Sequence, residues 1–168
     1  MSQDFKRPKL KIPKTKIEWA ADIIGYLFFL GTVGFLIYQW NNLPNEVPVH
    51  YNAQGEVDNW ESKFVLILLP AIGVLIAVMM EVFERFPEWH NYPARLNQEN
   101  VKAFYLSSRK MTNQIKNICF ILFGIILIES ITIALGWISS LPGWLLPLMI
   151  ISTLIPIVIG LIQQKKIK

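Results

Sequence analysis

The sequence predicts an all-α membrane protein of four transmembrane helices, with an extracellular hairpin-like loop between spans one and two and a cytoplasmic amphipathic helix continuous with span three. Three observations carry that prediction. The chain of 168 residues is 53% apolar and its mean hydropathy is +0.39, too apolar for a water-soluble domain of this size. Four apolar runs, residues 23–40, 64–83, 118–138 and 145–162, are each long enough at about 1.5 Å rise per residue to cross a hydrocarbon core of roughly 30 Å. Lys and Arg alternate between crowded and empty connecting segments, as they do when loops alternate sides of a bilayer.

Residues 1–16 form a basic cytoplasmic arm. Lys6, Arg7, Lys9, Lys11, Lys14 and Lys16 surround Pro8 and Pro13, a composition that neither buries a core nor holds a helix, so the arm is expected to be mobile. No small-residue cleavage site follows the first apolar run, which reads as a retained span and not a removed signal peptide.

The first loop, residues 41–63, is long for a simple connection and rich in turn formers. Val47, Val49 and Tyr51 alternate, Gln54-Gly55 supplies a turn and Val57 resumes the apolar pattern, so a hairpin is expected. A lone hairpin is marginal in water, and this one should lie on the end of the bundle.

Residues 84–117 begin with a segment that Pro87 and Pro93 keep non-helical. Asn97 then reads as a helix cap. Val101, Phe104, Tyr105, Ser108, Met111, Ile115 and Ile118 recur at helical spacing, which predicts one helix running into span three. Lys102, Arg109, Lys110 and Lys116 are expected on its polar face, either solvated beside anionic lipid or docking a cytoplasmic protein partner. Residues 118–168 hold spans three and four and a basic tail.

Of the Lys and Arg residues, six lie in the arm, one (Lys63) in the first loop, six between spans two and three, none in the third loop and three in the tail. The positive-inside rule then puts both termini and the middle segment in the cytoplasm of a multi-pass plasma-membrane protein. Trp40 and Trp60 flank the first loop, and Trp137 and Trp144 bracket the third, where interfacial rings belong. The net charge of +4 is accounted for by basic blocks beside apolar runs, and nucleic acid is excluded as a partner. Cys119 stands alone inside an apolar run, which excludes an internal disulfide and a cysteine-rich metal site.

The ionisable set of the first loop is Glu46, His50, Glu56, Asp58, Glu61 and Lys63. It admits a structural role, contacts to an external ligand, a divalent-cation site or an acid–base pair. No second histidine lies nearby, so no metal, cofactor or catalytic residue is assigned. In the structural reading His50 hydrogen-bonds a carboxylate or a carbonyl and Lys63 snorkels at a helix edge. Glu129 is the sharper anomaly. An ionised carboxylate near mid-bilayer costs roughly 2.5–3.5 kcal/mol or more, so it should face the bundle as an interhelix contact or line a polar crevice, with Ser130 and Thr132 as neighbours. Glu81 reads as interfacial, beside Glu84 and Arg85. Pro70, Pro147 and Pro156 are candidate kinks that free carbonyls toward a cavity. No nucleotide loop, HExxH or nucleophile elbow occurs, so the protein reads as no enzyme.

The run Leu43-Pro44, Val47-Pro48-Val49-His50-Tyr51-Asn52, Gly55-Glu56-Val57-Asp58-Asn59-Trp60, Lys63 resembles the signature of the family called domain of unknown function 1648, which would span residues 17–83. Asn91-Tyr92-Pro93, Glu99-Asn100 and Tyr105 resemble its continuation in members from Gram-positive bacteria. Better-understood relatives are SdpI-type immunity proteins, which protect a producing cell against its own secreted toxin and sequester a repressor at the membrane. Those are larger, with about six spans. The resemblance implies a non-enzymatic immunity or signal-receptor-like protein that engages a secreted peptide or envelope ligand, with Pro48, His50, Asn52, Gly55, Asp58, Trp60 and Lys63 as ligand or lid contacts. A small transporter or membrane enzyme built on Glu129, and a structural subunit of a membrane complex, are the alternatives.

Overall fold

The computed structural model describes residues 5–52 and 54–168; residues 1–4 of the basic arm and Ala53 of the loop lie outside that description. It contains four long apolar helices, α1 (Lys16–Gln39), α2 (Leu68–Arg85), α3 (Val101–Ala134) and α4 (Leu145–Lys166), and a two-stranded antiparallel hairpin, β1 (Glu46–Tyr51) and β2 (Val57–Ser62). A 3₁₀ turn over Lys63–Ile67 leads into α2 and extends the apolar segment. All four helices are long and apolar enough to cross a membrane. This is a multi-pass membrane protein associated with the bilayer.

The centre of the bundle is α3. It packs against α1, α2, α4 and β1, while α4 packs on α3. Its buried stripe runs through Phe104, Tyr105, Ser108, Arg109, Thr112, Asn113, Lys116, Asn117, Phe120, Gly124, Leu127 and Ile131, a helical repeat that keeps one face inward for the whole length. The outer helices instead present large apolar side chains outward, among them Ile23, Leu27 and Leu30 of α1, Val74 and Val78 of α2 and Ile151 and Val158 of α4. Such surface suits lipid tails. As the sequence predicts, helix and span are continuous in α3.

Local chemistry sets the helix ends. Thr15 and Glu18 form a capping box at the start of α1, each side chain accepting from the other's backbone N–H. Asn97 does cap a turn, its Oδ1 accepting from the N–H groups of Glu99 and Asn100, but regular helix begins only at Val101. Gly136, at φ 72°, ends α3 with the paired bonds of a Schellman turn, Trp137 N–H to Thr132 O and Gly136 N–H to Ile133 O. Pro147 lies in the first turn of α4, a position where no intrahelical N–H bond is lost, and Pro70 stands just past the junction of the 3₁₀ turn with α2. Pro156 is internal to α4 and buried.

The basic arm differs from its expected mobility. Arg7 donates to the carbonyls of Glu88 and His90, the carbonyl of Ile12 accepts from Arg109, and Lys14 reaches into the bundle. Partners supplied by α2, α3 and the 86–92 segment hold a stretch whose own composition holds nothing.

Candidate functional site

Val47 anchors the hairpin. It is fully buried in the main apolar cluster with Leu36, Leu43, Leu66, Leu127 and Ile131. At the base of the hairpin Lys63 N–H donates to Asn45 O (2.9 Å), and at its tip Leu141 N–H, from the α3–α4 connection, donates to Gly55 O (2.8 Å). Gly55 sits at φ 83° and packs directly on the Leu141 backbone, so both its conformation and its closeness require glycine. On the inward face the Tyr51 hydroxyl meets Ser130 Oγ at 3.2 Å, and burial pushes the Tyr51 phenol pKa up.

The strands pair Pro48 with Trp60, His50 with Asn59 and Tyr51 with Val57, an irregular register with one extra residue in each strand. These bulges bring His50 and Asp58 together on the outward face, Nδ1 to Oδ1 at 2.5 Å. The His50 side chain is 68% exposed, so the pair is a surface contact and not a core brace.

Beneath the hairpin lies a cavity of about 440 Å³ between β1, the start of α2, the C-terminal part of α3, the α3–α4 connection and the start of α4. Val49, Leu69, Ile72, Ile126 and Leu146 make its walls apolar, and Tyr51, Asn52, His50 and Ser130 supply polar atoms. An apolar pocket with a few convergent polar groups has the composition of a ligand site.

The predicted loop residues divide into three kinds. Pro48, His50, Asn52 and Gly55 border the cavity. Asp58 and Trp60 are exposed and do not line it. Lys63 does not snorkel: its Nζ donates to Trp40 O (3.1 Å) and Leu43 O (3.5 Å) and lies over the Trp40 ring, satisfying carbonyls left open where α1 ends. Asn52 also builds the turn, its Oδ1 accepting from the N–H groups of Gln54 and Glu56. Glu129 is next to Ser130, yet Ser130 bonds Tyr51 and the Thr132 hydroxyl bonds the Glu129 backbone carbonyl. Glu129 Oε2 is buried without a hydrogen-bond partner among the described residues.

A second polar centre occupies the opposite end of the bundle. Arg109 grips Glu18 with two bonds, of 3.0 and 2.9 Å. Lys116 Nζ lies 2.8 Å from Glu84 and 3.0 Å from Asp22 and contacts Glu81. Lys14 Nζ lies 2.7 Å from Asp22 and 2.8 Å from Glu84. Asn113 and Asn117 donate to Asp22 at 2.7 and 2.9 Å. Burial works against the Lys14 charge, but Asp22, Glu84 and Glu81 outweigh it and raise its pKa. The oxygens of Asp22, Glu81 and Glu84 lie within 4.8 Å of one another, and two ammonium groups already sit among them.

This centre corrects two expectations. Arg109 and Lys116 are not on a solvated face: their side chains are 3% and 0% exposed, because four carboxylates of α1 and α2 draw them inward. Lys102 is exposed and Lys110 half-buried, so they alone remain of that face. Glu81 and Glu84 are likewise network members, Glu84 fully buried. The missed signals were present as spacing: Glu18 and Asp22 one turn apart, Glu81 and Glu84 likewise, and Arg109, Asn113, Lys116 and Asn117 along a single stripe.

Beside the second centre, His90 is half-buried. Its Nε2–H donates to Phe83 O at 3.1 Å, which leaves Nδ1 to accept from the Ser108 hydroxyl. Burial lowers its pKa, against the opposing pull of the Phe83 carbonyl and Glu88.

An uncharacterized protein of Archaeoglobus fulgidus is 31% identical over 77 residues, which are 45% of this chain and 40% of the archaeal protein. This chain therefore spans less than half the length of that relative. No solved structure matches. Residues 27–74, the segment that carries the hairpin and the flanking parts of α1 and α2, match the family model described as Domain of unknown function (DUF1648).

Proposed function

We propose that this is a non-enzymatic immunity or signal-receptor-like protein of the bacterial envelope, in which the hairpin faces outward and acts as a lid over a site for a secreted peptide or envelope ligand. The observation that carries this reading is the cavity under the hairpin, about 440 Å³ and mostly apolar. A membrane-active peptide offers the apolar side chains that such walls desolvate, and its backbone offers donors and acceptors for Tyr51, Ser130 and Asn52. His50, Asp58 and Trp60 stand on the outer surface as first contacts for a ligand arriving from outside. The outward orientation rests on the distribution of Lys and Arg, with both termini on the cytoplasmic side. Ser130 at the cavity and Arg109 and Lys116 in the ion network lie on one unbroken helix, α3. That helix connects an outer binding event to the end that bears Lys102 and Lys110, the face for a cytoplasmic protein.

A second reading, a small transporter or membrane enzyme, draws on one specific feature: Glu129, whose Oε2 is buried without a hydrogen-bond partner among the described residues, adjoins in sequence the cavity-lining Ser130. It predicts proton-linked activity lost in Glu129→Gln.

The deciding experiment is survival of a sensitive Gram-positive host exposed to secreted membrane-active peptides, with the wild type, His50→Ala and the cavity-filling Ile72→Trp at matched membrane levels. Protection by the wild type that Ile72→Trp abolishes supports the lid-and-cavity reading. Absence of protection by the wild type against every peptide tested refutes the immunity reading, and loss of a proton-linked activity in Glu129→Gln alone favours the second.

A further inference from the structure

At the end bearing the ion network, α1 and α2 touch through the Tyr26–Glu81 hydrogen bond of 3.1 Å but leave a gap beside it. Phe29 of α1 rests on Gly73 of α2, and beyond that contact a slot of about 440 Å³ opens sideways between the two helices, walled by Tyr26, Leu30, Val74, Val78, Val82 and Phe86. A second cavity, of about 320 Å³, adjoins it toward the basic arm and is bordered by Leu10, Lys11, Pro13, Glu84, Arg85 and Arg109. Arg85 borders both.

The charges around this junction do not cancel. Glu84 is satisfied by Lys14, Lys116 and Asn113, and Glu81 by Lys14, Lys116 and the Tyr26 hydroxyl. Arg109 is committed to Glu18. Lys11 and Arg85 are exposed, and among the described residues neither makes an ion pair. The uncommitted charge at the mouth of the slot is therefore positive.

Depth fits the same reading. From Arg85 to Val74 the slot follows eleven residues of α2, about 16 Å at 1.5 Å per residue, which is about half of a roughly 30 Å hydrocarbon core and so the reach of one leaflet. Trp19 and Trp89 are exposed at this end, where aromatic side chains mark the membrane–water interface.

We propose that the slot between α1 and α2 is a binding site for an anionic phospholipid, with one acyl chain between the helices and the phosphate in the adjoining cavity between Lys11 and Arg85. Glu81, one turn deeper than Arg85, lies at the level of the glyceride backbone and shares Lys14 and Lys116 with Asp22 and Glu84, so the headgroup's attraction comes from Lys11 and Arg85 at the mouth and not from the network. The site is separate from the hairpin cavity and does not depend on which leaflet this end occupies.

The test is native mass spectrometry of the delipidated protein in detergent, with phosphatidylglycerol and phosphatidylcholine offered at equal concentration. The wild type should retain one phosphatidylglycerol with about tenfold preference, in line with the attraction of two basic side chains near a membrane surface. Lys11→Gln with Arg85→Gln should abolish the preference. Val78→Trp should remove the bound lipid by filling the slot, whereas Val158→Trp on the outer face of α4 should not; if Val78→Trp fails to fold, Val74→Trp fills the same slot. Equal retention of the two lipids overturns the proposal, as does retention unaffected by either slot-filling variant. Displacement of the lipid by soluble glycerol phosphate would show a site for the headgroup alone and overturns it too. So would a lipid-free dimer that the slot-filling variant splits, because a second copy would then occupy the slot.

Discussion

Lys116 Nζ lies 2.8 Å from Glu84 Oε1, both side chains essentially unexposed, so an ion pair joins the middle helix to α2 within the buried polar network. Removing Lys116 leaves the buried Glu84 charge with only Lys14 and Asn113, and breaking a buried pair costs up to about 3–5 kcal/mol. Lys116→Met should therefore lower unfolding stability in micelles by that amount, and Lys116→Met with Glu84→Gln should recover part of it. Equal stability of wild type and single variant would show that the pair contributes nothing.

The hairpin is held by Val47 in the apolar cluster and by Tyr51 on Ser130. Tyr51→Phe removes one hydrogen bond, worth about 0.5–1.5 kcal/mol, and Val47→Ala opens a void costing about 1–3 kcal/mol. Hydrogen exchange should report the release locally: hairpin amides exchange faster in both variants, with α3 amides near Arg109 unchanged. Uniform acceleration across the chain would mean that the hairpin and bundle open together.

Gly73 is a contact surface as well as a helix position. A Cβ there would stand 2.5 Å from Phe29 Cζ, so Gly73→Ala should cost about 1–3 kcal/mol through overpacking. Phe29→Leu should be less costly in the Gly73→Ala background than alone, a coupling that a double-mutant cycle in thermal unfolding reads directly.

His90 provides a pH dependence with a definite sign. Its folded-state pKa is below the ordinary 6.5 because burial disfavours the imidazolium. Stability from the neutral ring is thus complete above about 6.5 and lost as pH falls through the lowered value. Thermal unfolding between pH 7.5 and 5 should show a decline that His90→Gln flattens; an identical slope in both would assign the decline to other groups.

Much of the architecture was legible before any coordinates. Four apolar runs of spanning length, with no alternation of a barrel type, leave helices as the way to satisfy backbone groups in lipid. The hairpin was legible too, from alternating Val47, Val49 and Tyr51 and the turn at Gly55, because period and turn chemistry are local. The Thr15–Glu18 capping box was equally local and went unread.

What the sequence determined by itself, then, was the set of elements, since span length, periodicity and turn residues act within a few neighbours. The tertiary structure alone decided where the charges went. Arg109 and Lys116 look like a solvated face until Glu18, Asp22, Glu81 and Glu84 arrive from helices that lie 32 to 94 residues away in the chain. It decided also that Lys63 caps the end of α1, that Glu129 Oε2 has no hydrogen-bond partner among the described residues, and that a cavity lies beneath the hairpin. Burial and ion pairing depend on which faces meet, and long-range packing sets that through partners no local pattern names.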